Sequence, residues 1–231
     1  MIPFVEKYKP TRLSDFAGMN RPKAILSAVA REPYASAWLL LGDSGTGKTT
    51  MALAFADAIG AEVIHVPSRS CDLETVQKIC LHCQSMPMFA RAPWYVVIVD
   101  ECDEMSKAAA LSFLSKLDTT AAPSHAIFVF TANGTDKLED RFLSRVRTLQ
   151  FTTDDLLEPG AALLSRIWHT ETGNGDGIDF RGILTAANMN LRAAIMELEM
   201  MAMEAPRTWS CGCGESNPQD WEVCGNCGKP R

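Results

Sequence analysis

Gly42-Asp43-Ser44-Gly45-Thr46-Gly47-Lys48-Thr49 decides how this chain folds. The stretch fits G-x-x-x-x-G-K-[ST] at every specified position. It follows the short apolar run Trp38-Leu39-Leu40-Leu41 and opens an alanine-rich segment, Thr50 to Ile59, that reads as a helix. Strand, glycine-rich loop and helix in that order turn backbone N–H groups inward and set the positive end of a helix beside them, which makes a cradle for phosphate oxygens. Lys48 is expected to reach the β and γ phosphates of ATP and Thr49 to hold Mg²⁺ through its hydroxyl, with Thr50 joining the nucleotide contacts.

Outward from the loop, apolar runs alternate with helical spacing. Strands are expected at Glu62-Val63-Ile64-His65-Val66, Tyr95-Val96-Val97-Ile98-Val99, Ala126 to Thr131 and Thr148 to Phe151. Helices are expected at Arg21 to Arg31, from about Leu73 to Gln84, and at Ser106 to Leu117, where Ala110, Leu111, Leu114 and Leu117 share a face. Residues before Arg21 read as extended. Strands alternating with helices imply an α/β fold with a parallel sheet and flanking helices. After Phe151 the pattern is wholly helical to about Met203, which divides the chain into a nucleotide-binding core, 1–152, a helical unit, 153–205, and a tail, 206–231.

The run Val96-Val97-Ile98-Val99 ends in Asp100-Glu101, two carboxylates at the C-terminal end of a strand, where parallel sheets bind their ligands. Asp100 fits the surroundings of the magnesium ion. Glu101 fits the group that polarises the attacking water.

Composition narrows the class of partner. The chain has 231 residues, 47% of them hydrophobic, enough for one full-sized core and a smaller appended unit. Lys+Arg 22 against Asp+Glu 28 gives a net charge of -6, so any nucleic-acid contact needs a local patch. The first residues lack the layout of a signal peptide and no apolar run approaches membrane-spanning length, so no membrane contact and an intracellular, cytoplasmic protein are expected.

In a reducing compartment the 8 cysteines read as thiols or metal ligands. Cys211, Cys213, Cys224 and Cys227 form two pairs in a tail too poor in apolar residues to fold unaided, and four thiolates suit tetrahedral Zn²⁺. Cys71, Cys80 and Cys83 leave two readings open: buried thiols, Cys80 and Cys83 lying one helical turn apart, or a second zinc site with His82 or Cys102, which is implied because the C-x8-C-x2-C spacing resembles the start of the four-cysteine zinc module in bacterial clamp-loader ATPases.

With these residues in place the chain resembles the AAA+ clamp-loader ATPases, the replication factor C small subunit and its phage and bacterial relatives, over roughly Phe4 to Met203. Val5-Glu6-Lys7-Tyr8-Lys9-Pro10 with Leu13 looks like that family's N-terminal signature. This implies an adenine-facing role around Lys7, Tyr8 and Pro10. Asp100-Glu101-Cys102-Asp103 is similar to its DEAD-type box, and Thr131-Ala132-Asn133 to its first sensor, with Asn133 aimed at the γ phosphate or the lytic water. Leu143-Ser144-Arg145-Val146 resembles the motif whose arginine acts on the ATP of a neighbouring subunit, which points to Arg145, with Arg141 and Arg147 nearby. Asn188 to Ala194 looks like the lid's second sensor, which points to Arg192 and makes 153–205 the lid. The tail, with Trp209, Asn217 and Trp221, resembles the Ran-binding-protein type of zinc finger, although its first pair is Cys-x-Cys. Either tryptophan stacks on a base or packs on the small core.

The resemblance implies a clamp-loader-like ATPase in DNA replication or repair, with primer-template DNA, a sliding clamp or other replication protein and further clamp-loader-like subunits as partners. The family's collar domain has no room in this length, and the compact form fits a phage or mobile-element origin. A nucleotide-switched adaptor that recruits its partner through the finger is the alternative, and a regulator that binds RNA through it is a third.

Overall fold

The computed structural model describes residues 2–67, 71–88, 90–117, 122–173, 177–204, 208–210, 212–214, 216–218 and 221–230, with backbone alone for 208–210, 216 and 218. In chain order the elements are α1 (Phe4–Lys7), α2 (Asn20–Arg31), β1 (Ser36–Leu41), α3 (Lys48–Ile59), β2 (Glu62–Pro67), α4 (Leu73–His82), β3 (Tyr95–Asp100), α5 (Lys107–Lys116), β4 (Ala126–Ala132), α6 (Asp140–Leu143) and β5 (Arg147–Gln150). Then come α7 (Leu157–Thr172), α8 (Phe180–Ala186), α9 (Leu191–Glu204) and a tail hairpin of β6 (Thr208–Ser210) and β7 (Ser216–Pro218).

The first five strands form one parallel sheet in the order β2-β3-β4-β1-β5, so the expected α/β fold is what the chain adopts. The strands read as continuous apolar runs because both faces of the sheet are covered. β4 shows this by alternation: Phe128 and Phe130 face a cluster with α4 and α5, while Ile127 and Val129 face a cluster with α2 and α3. On the first face Phe113 of α5 meets Phe130 edge-on at 5.1 Å, and Phe142 of α6 does so at 4.9 Å. Phe113 is fully buried, so Phe113→Ala would cost about 3–5 kcal/mol.

β1 is paired with β4 on one side and β5 on the other. The chain leaves β1 through α3, lands on the far edge as β2, and fills inward until β5 closes the opposite side. Connections diverge at the C-terminal end of β1 and open a crevice there, and residues 42–49 occupy it.

A third cluster is helical, built from Leu164, Ile167 and Trp168 of α7, Leu184 of α8, and Ala194, Ile195 and Leu198 of α9. Phe4 is buried in this cluster, which is why the start of the chain, read as extended from sequence, contains a short helix. Asp155, between β5 and α7, accepts the backbone N–H groups of Met19 and Asn20 and so satisfies the start of α2. The N-terminal segment is thereby tied to the helical unit at two places. Among the described residues, no helix is long and apolar enough to cross a membrane.

Candidate functional site

The loop after β1 is shaped for backbone donation. Gly45 and Gly47 take left-handed conformations, φ 83° and 88°, that side-chain-bearing residues adopt only under strain. Thr46 closes the loop by donating its hydroxyl to the Asp43 carbonyl at 2.8 Å. Lys48 and Thr49 follow at the first turn of α3.

Lys48 is buried, and its ammonium donates to the carbonyls of Gly42 at 2.5 Å and Asp43 at 2.8 Å and to Asn133 Oδ1 at 3.0 Å. Burial lowers its pKa, helped by repulsion from Arg192 and resisted by Asp43, Asp103 and Glu101. Asn133 follows the end of β4, so the ammonium bridges the glycine-rich loop and the neighbouring strand.

Asp100 ends β3 and stands at the centre of a small network. Its Oδ1 accepts the Thr49 hydroxyl at 2.7 Å and the Thr131 hydroxyl at 3.1 Å. Thr131 in turn accepts the Glu101 backbone N–H at 3.0 Å, so one buried hydroxyl joins both acidic residues. Glu101 is exposed and sits at φ 50°, ψ 50°, a left-handed conformation costing roughly 1–3 kcal/mol, of the kind concentrated at functional sites. Asp100 Oδ2 pairs with His65 Nε2 on β2.

Above the loop lies a cleft of about 680 Å³. Tyr8 and Pro10 line it from the N-terminal segment, Gly45, Thr46, Gly47 and Thr50 from the loop and α3, and Leu163, Arg166, Arg192 and Ile195 from the helical unit. Its size suits a nucleotide and its walls combine apolar side chains with cations. Lys7 lies outside this lining: its ammonium pairs with Glu171 of α7 at 2.6 Å, and Tyr8 donates its hydroxyl to the same carboxylate. Those bonds raise the pKa of Lys7 and lower that of Glu171. Arg145 is also outside the lining, exposed after α6, with Nη1 donating to the Arg141 carbonyl at 2.8 Å.

The residues expected from sequence fall into two adjacent hydrogen-bonded sets, Lys48 with Asn133 and Thr49 with Asp100, and Glu101 is attached to the second through Thr131. His65, Thr131 and Asn190 also belong to the site and were not chosen. Asn190 donates Nδ2 to the Ser44 carbonyl at 3.1 Å. His65 lies on an exposed edge strand and gave no signal. Asn190 stands two residues before Arg192, and the left-handed φ of Asn188 and Met189 is invisible in their letters.

In the tail, the sulfurs of Cys213, Cys224 and Cys227 lie within 4.8 Å of one another, with Cys213 and Cys224 at 3.5 Å. Ligands 2.3 Å from a tetrahedral zinc would be about 3.8 Å apart, so the three fit one ion. The Cys224 thiol is pulled down to about 6, first by the backbone N–H of Cys227 and then by that of Asn226, which favours a thiolate. Asn217, fully buried, accepts the Gly225 N–H at 2.7 Å, and the Trp221 ring covers Gly225 so closely that a β-carbon there would lie 2.5 Å from it. Cys211 and the side chain of Trp209 lie outside the described residues.

Cys71, Cys80, Cys83 and Cys102 are buried in the sheet core. Burial pushes Cys71 up to about 11 and Cys83 to about 12, and raises Cys80 and Cys102. Protonated thiols are poor metal ligands. Among the described residues, the one metal-competent group is that of Cys213, Cys224 and Cys227.

Residues 38–153 match the model of the ATPase family associated with various cellular activities (AAA). The chain is 28% identical over 235 residues to the replication factor C large subunit of Methanopyrus kandleri, covering 91% of this chain and 45% of that protein. It is 30% identical over 158 residues to replication factor C subunit 4 of Oryza sativa subsp. japonica, covering 65% of this chain and 47% of that protein. The chain therefore spans about half the length of these curated relatives. Among solved structures it is similar in fold to the Thermotoga maritima RuvB Holliday junction branch migration motor, with a TM-score of 0.62 at 18% identity, covering 85% of this chain and 72% of that one.

Proposed function

The chain belongs to the AAA family of ATPases, and from that premise we propose that it binds ATP and Mg²⁺ in the cleft over residues 42–50 and hydrolyses the γ-phosphoanhydride in work on DNA. One observation carries this reading: Lys48 hydrogen-bonds Asn133 and its chain neighbour Thr49 hydrogen-bonds Asp100, so the first turn of α3 is bonded to the ends of β3 and β4 directly beside Gly45, Thr46, Gly47 and Thr50, which line the cleft.

Each residue then has a task that its position allows. Lys48 holds an ammonium against backbone carbonyls, contacts that phosphate oxygens replace with stronger charge-assisted ones. Thr49 and Asp100 present the hard oxygen donors that magnesium prefers, and the ion would neutralise charge on the bound phosphates. Glu101, exposed beside them, orients and polarises the attacking water. Asn133 lies against Lys48 and holds the γ-phosphate side of the site. Arg192 faces the cleft from α9 and senses the same phosphate. The base lies against Tyr8 and Pro10, while Lys7 serves by anchoring the N-terminal segment to Glu171. Arg145 acts on the ATP of a neighbouring subunit.

The replication factor C relatives support a clamp-loader-like role, with primer-template DNA, a sliding clamp and other such subunits as partners. The core would be 1–152, the lid 153–205 and the finger 206–231. Zinc would be held by Cys213, Cys224 and Cys227 together with Cys211, tethering the ATPase to nucleic acid or protein. That thiol cluster also supports the second reading, an ATP-switched adaptor with slow turnover.

Steady-state ATPase with and without primed DNA separates the two. Stimulation by DNA is expected for the first, a low unchanged rate for the second. Glu101→Gln should retain ATP and lose turnover, whereas Lys48→Ala should lose ATP. Wild-type turnover in Glu101→Gln would remove that residue from the reaction.

A further inference from the structure

We propose that His65 is a positioning residue for the magnesium site, holding one oxygen of Asp100 so that the other stays directed at Thr49. The inference rests on the reading of Thr49 and Asp100 as the magnesium-binding pair and adds a residue on a different strand. β2 and β3 run parallel, with His65 beside Ile98 and Pro67 beside Asp100. Pro67, the direct neighbour, has no N–H to offer. Side chains two apart on a strand share a face, so the residue able to reach Asp100 from β2 is His65.

Its Nε2 meets Asp100 Oδ2, while Thr49 and Thr131 donate to Oδ1 at 2.7 and 3.1 Å. An ionised carboxylate only accepts, so the paired ring nitrogen carries the hydrogen. Donors from β2, α3 and β4 thus approach one carboxylate from three elements and fix the plane of a group that would otherwise rotate about its terminal bond. Removing the donor on Oδ2 leaves Asp100 held from one side only, which weakens metal binding without touching the phosphate cradle. Such partners of metal-binding groups alter metal affinity by about 10–100-fold. The His65 side chain is 42% exposed, so replacing it opens no cavity in the core.

The test measures binding, not turnover. The full chain is titrated with a fluorescent ATP analogue in EDTA and then across Mg²⁺ concentrations, for wild type, His65→Leu and His65→Gln, with thermal melts confirming folding. His65→Leu is expected to raise the Mg²⁺ half-saturation point about tenfold while leaving affinity in EDTA at the wild-type value. His65→Gln, which keeps an N–H of similar reach, is expected to recover most of the loss. A wild-type Mg²⁺ requirement in His65→Leu overturns the proposal, as does His65→Gln behaving like His65→Leu or equal losses with and without Mg²⁺. A wild-type protein whose analogue binding ignores Mg²⁺ overturns the reading of the site itself, and that result appears in the wild-type arm alone.

Discussion

Asn190 lies so close to Gly45 that a β-carbon on residue 45 would sit 2.1 Å from its Oδ1. The helical unit reaches the phosphate loop through this contact. Asn190 holds both ends of it, accepting the Ala193 N–H as the cap of α9 and donating to the Ser44 carbonyl, each at 3.1 Å. The two left-handed residues before it, Asn188 at φ 52° and Met189 at φ 58°, turn the chain so that it points inward. Arg192, one half-turn on, faces the cleft from the same helix.

Gly45→Ala should therefore lower the melting temperature and weaken ATP binding, since φ 83° strains alanine by about 1–3 kcal/mol and the new methyl strikes Asn190. Adding Asn190→Ala removes the object struck. The double variant should lose less than the sum of the single losses, read from thermal melts and ATP titrations. Strict additivity would show that the two residues do not press on each other.

The lowered pKa of Lys48 has an alkaline signature. Its folded value lies below 10.5 because burial disfavours the ammonium. Between the two values the unfolded chain binds more protons, so this site adds stability to the nucleotide-free protein as pH rises through the window. ATP binding moves the opposite way, because the neutral amine no longer attracts phosphate. Affinity for ATP should begin to fall before pH 10.5, and in Lys48→Arg, whose guanidinium stays charged, that inflection should vanish. Titrations from neutral pH upward check both.

Arg145 leans on the Arg141 carbonyl outside its own cleft. A finger used by a neighbouring subunit predicts complementation: Arg145→Ala mixed with Lys48→Ala should regain part of the ATPase activity, because one interface then pairs an intact site with an intact arginine. Rates no higher than the two variants measured apart, with mixing shown by mass measurement, would place Arg145 elsewhere in the function.

One zinc per chain is expected by metal analysis, and Cys224→Ser should remove it. Chelation should unfold the tail and leave the core melting as before, because the core is held by apolar burial whereas the proposed zinc would hold the tail. Two zinc ions per chain would mean that the buried thiols Cys71, Cys80 and Cys83 bind metal in spite of pKa values pushed up by burial.

Much of the architecture was legible because its signals are local. Residues 42–49 carry their own turn, donors and cation in eight consecutive positions. Val96 to Glu101 announces both a buried strand and the acids at its end. The thiols of 213, 224 and 227 could be grouped by spacing. The short helix at Phe4 departs from the extended start that the sequence suggests because its partners, Leu164 and Leu198, lie far along the chain.

Sequence alone determined the α/β class, the phosphate loop and the pair of acids, since each follows from hydrogen-bonding and hydrophobic pattern within a few residues. Only the tertiary structure decided that β1 sits between β4 and β5, that His65 on β2 holds Asp100, that Lys48 bridges to Asn133, and that Asn190 presses on Gly45. Those contacts join residues 35, 85 and about 145 positions apart in sequence. Their partners are chosen by strand order and register, which depend on burying both faces of the sheet at once, and no short window of sequence contains that condition.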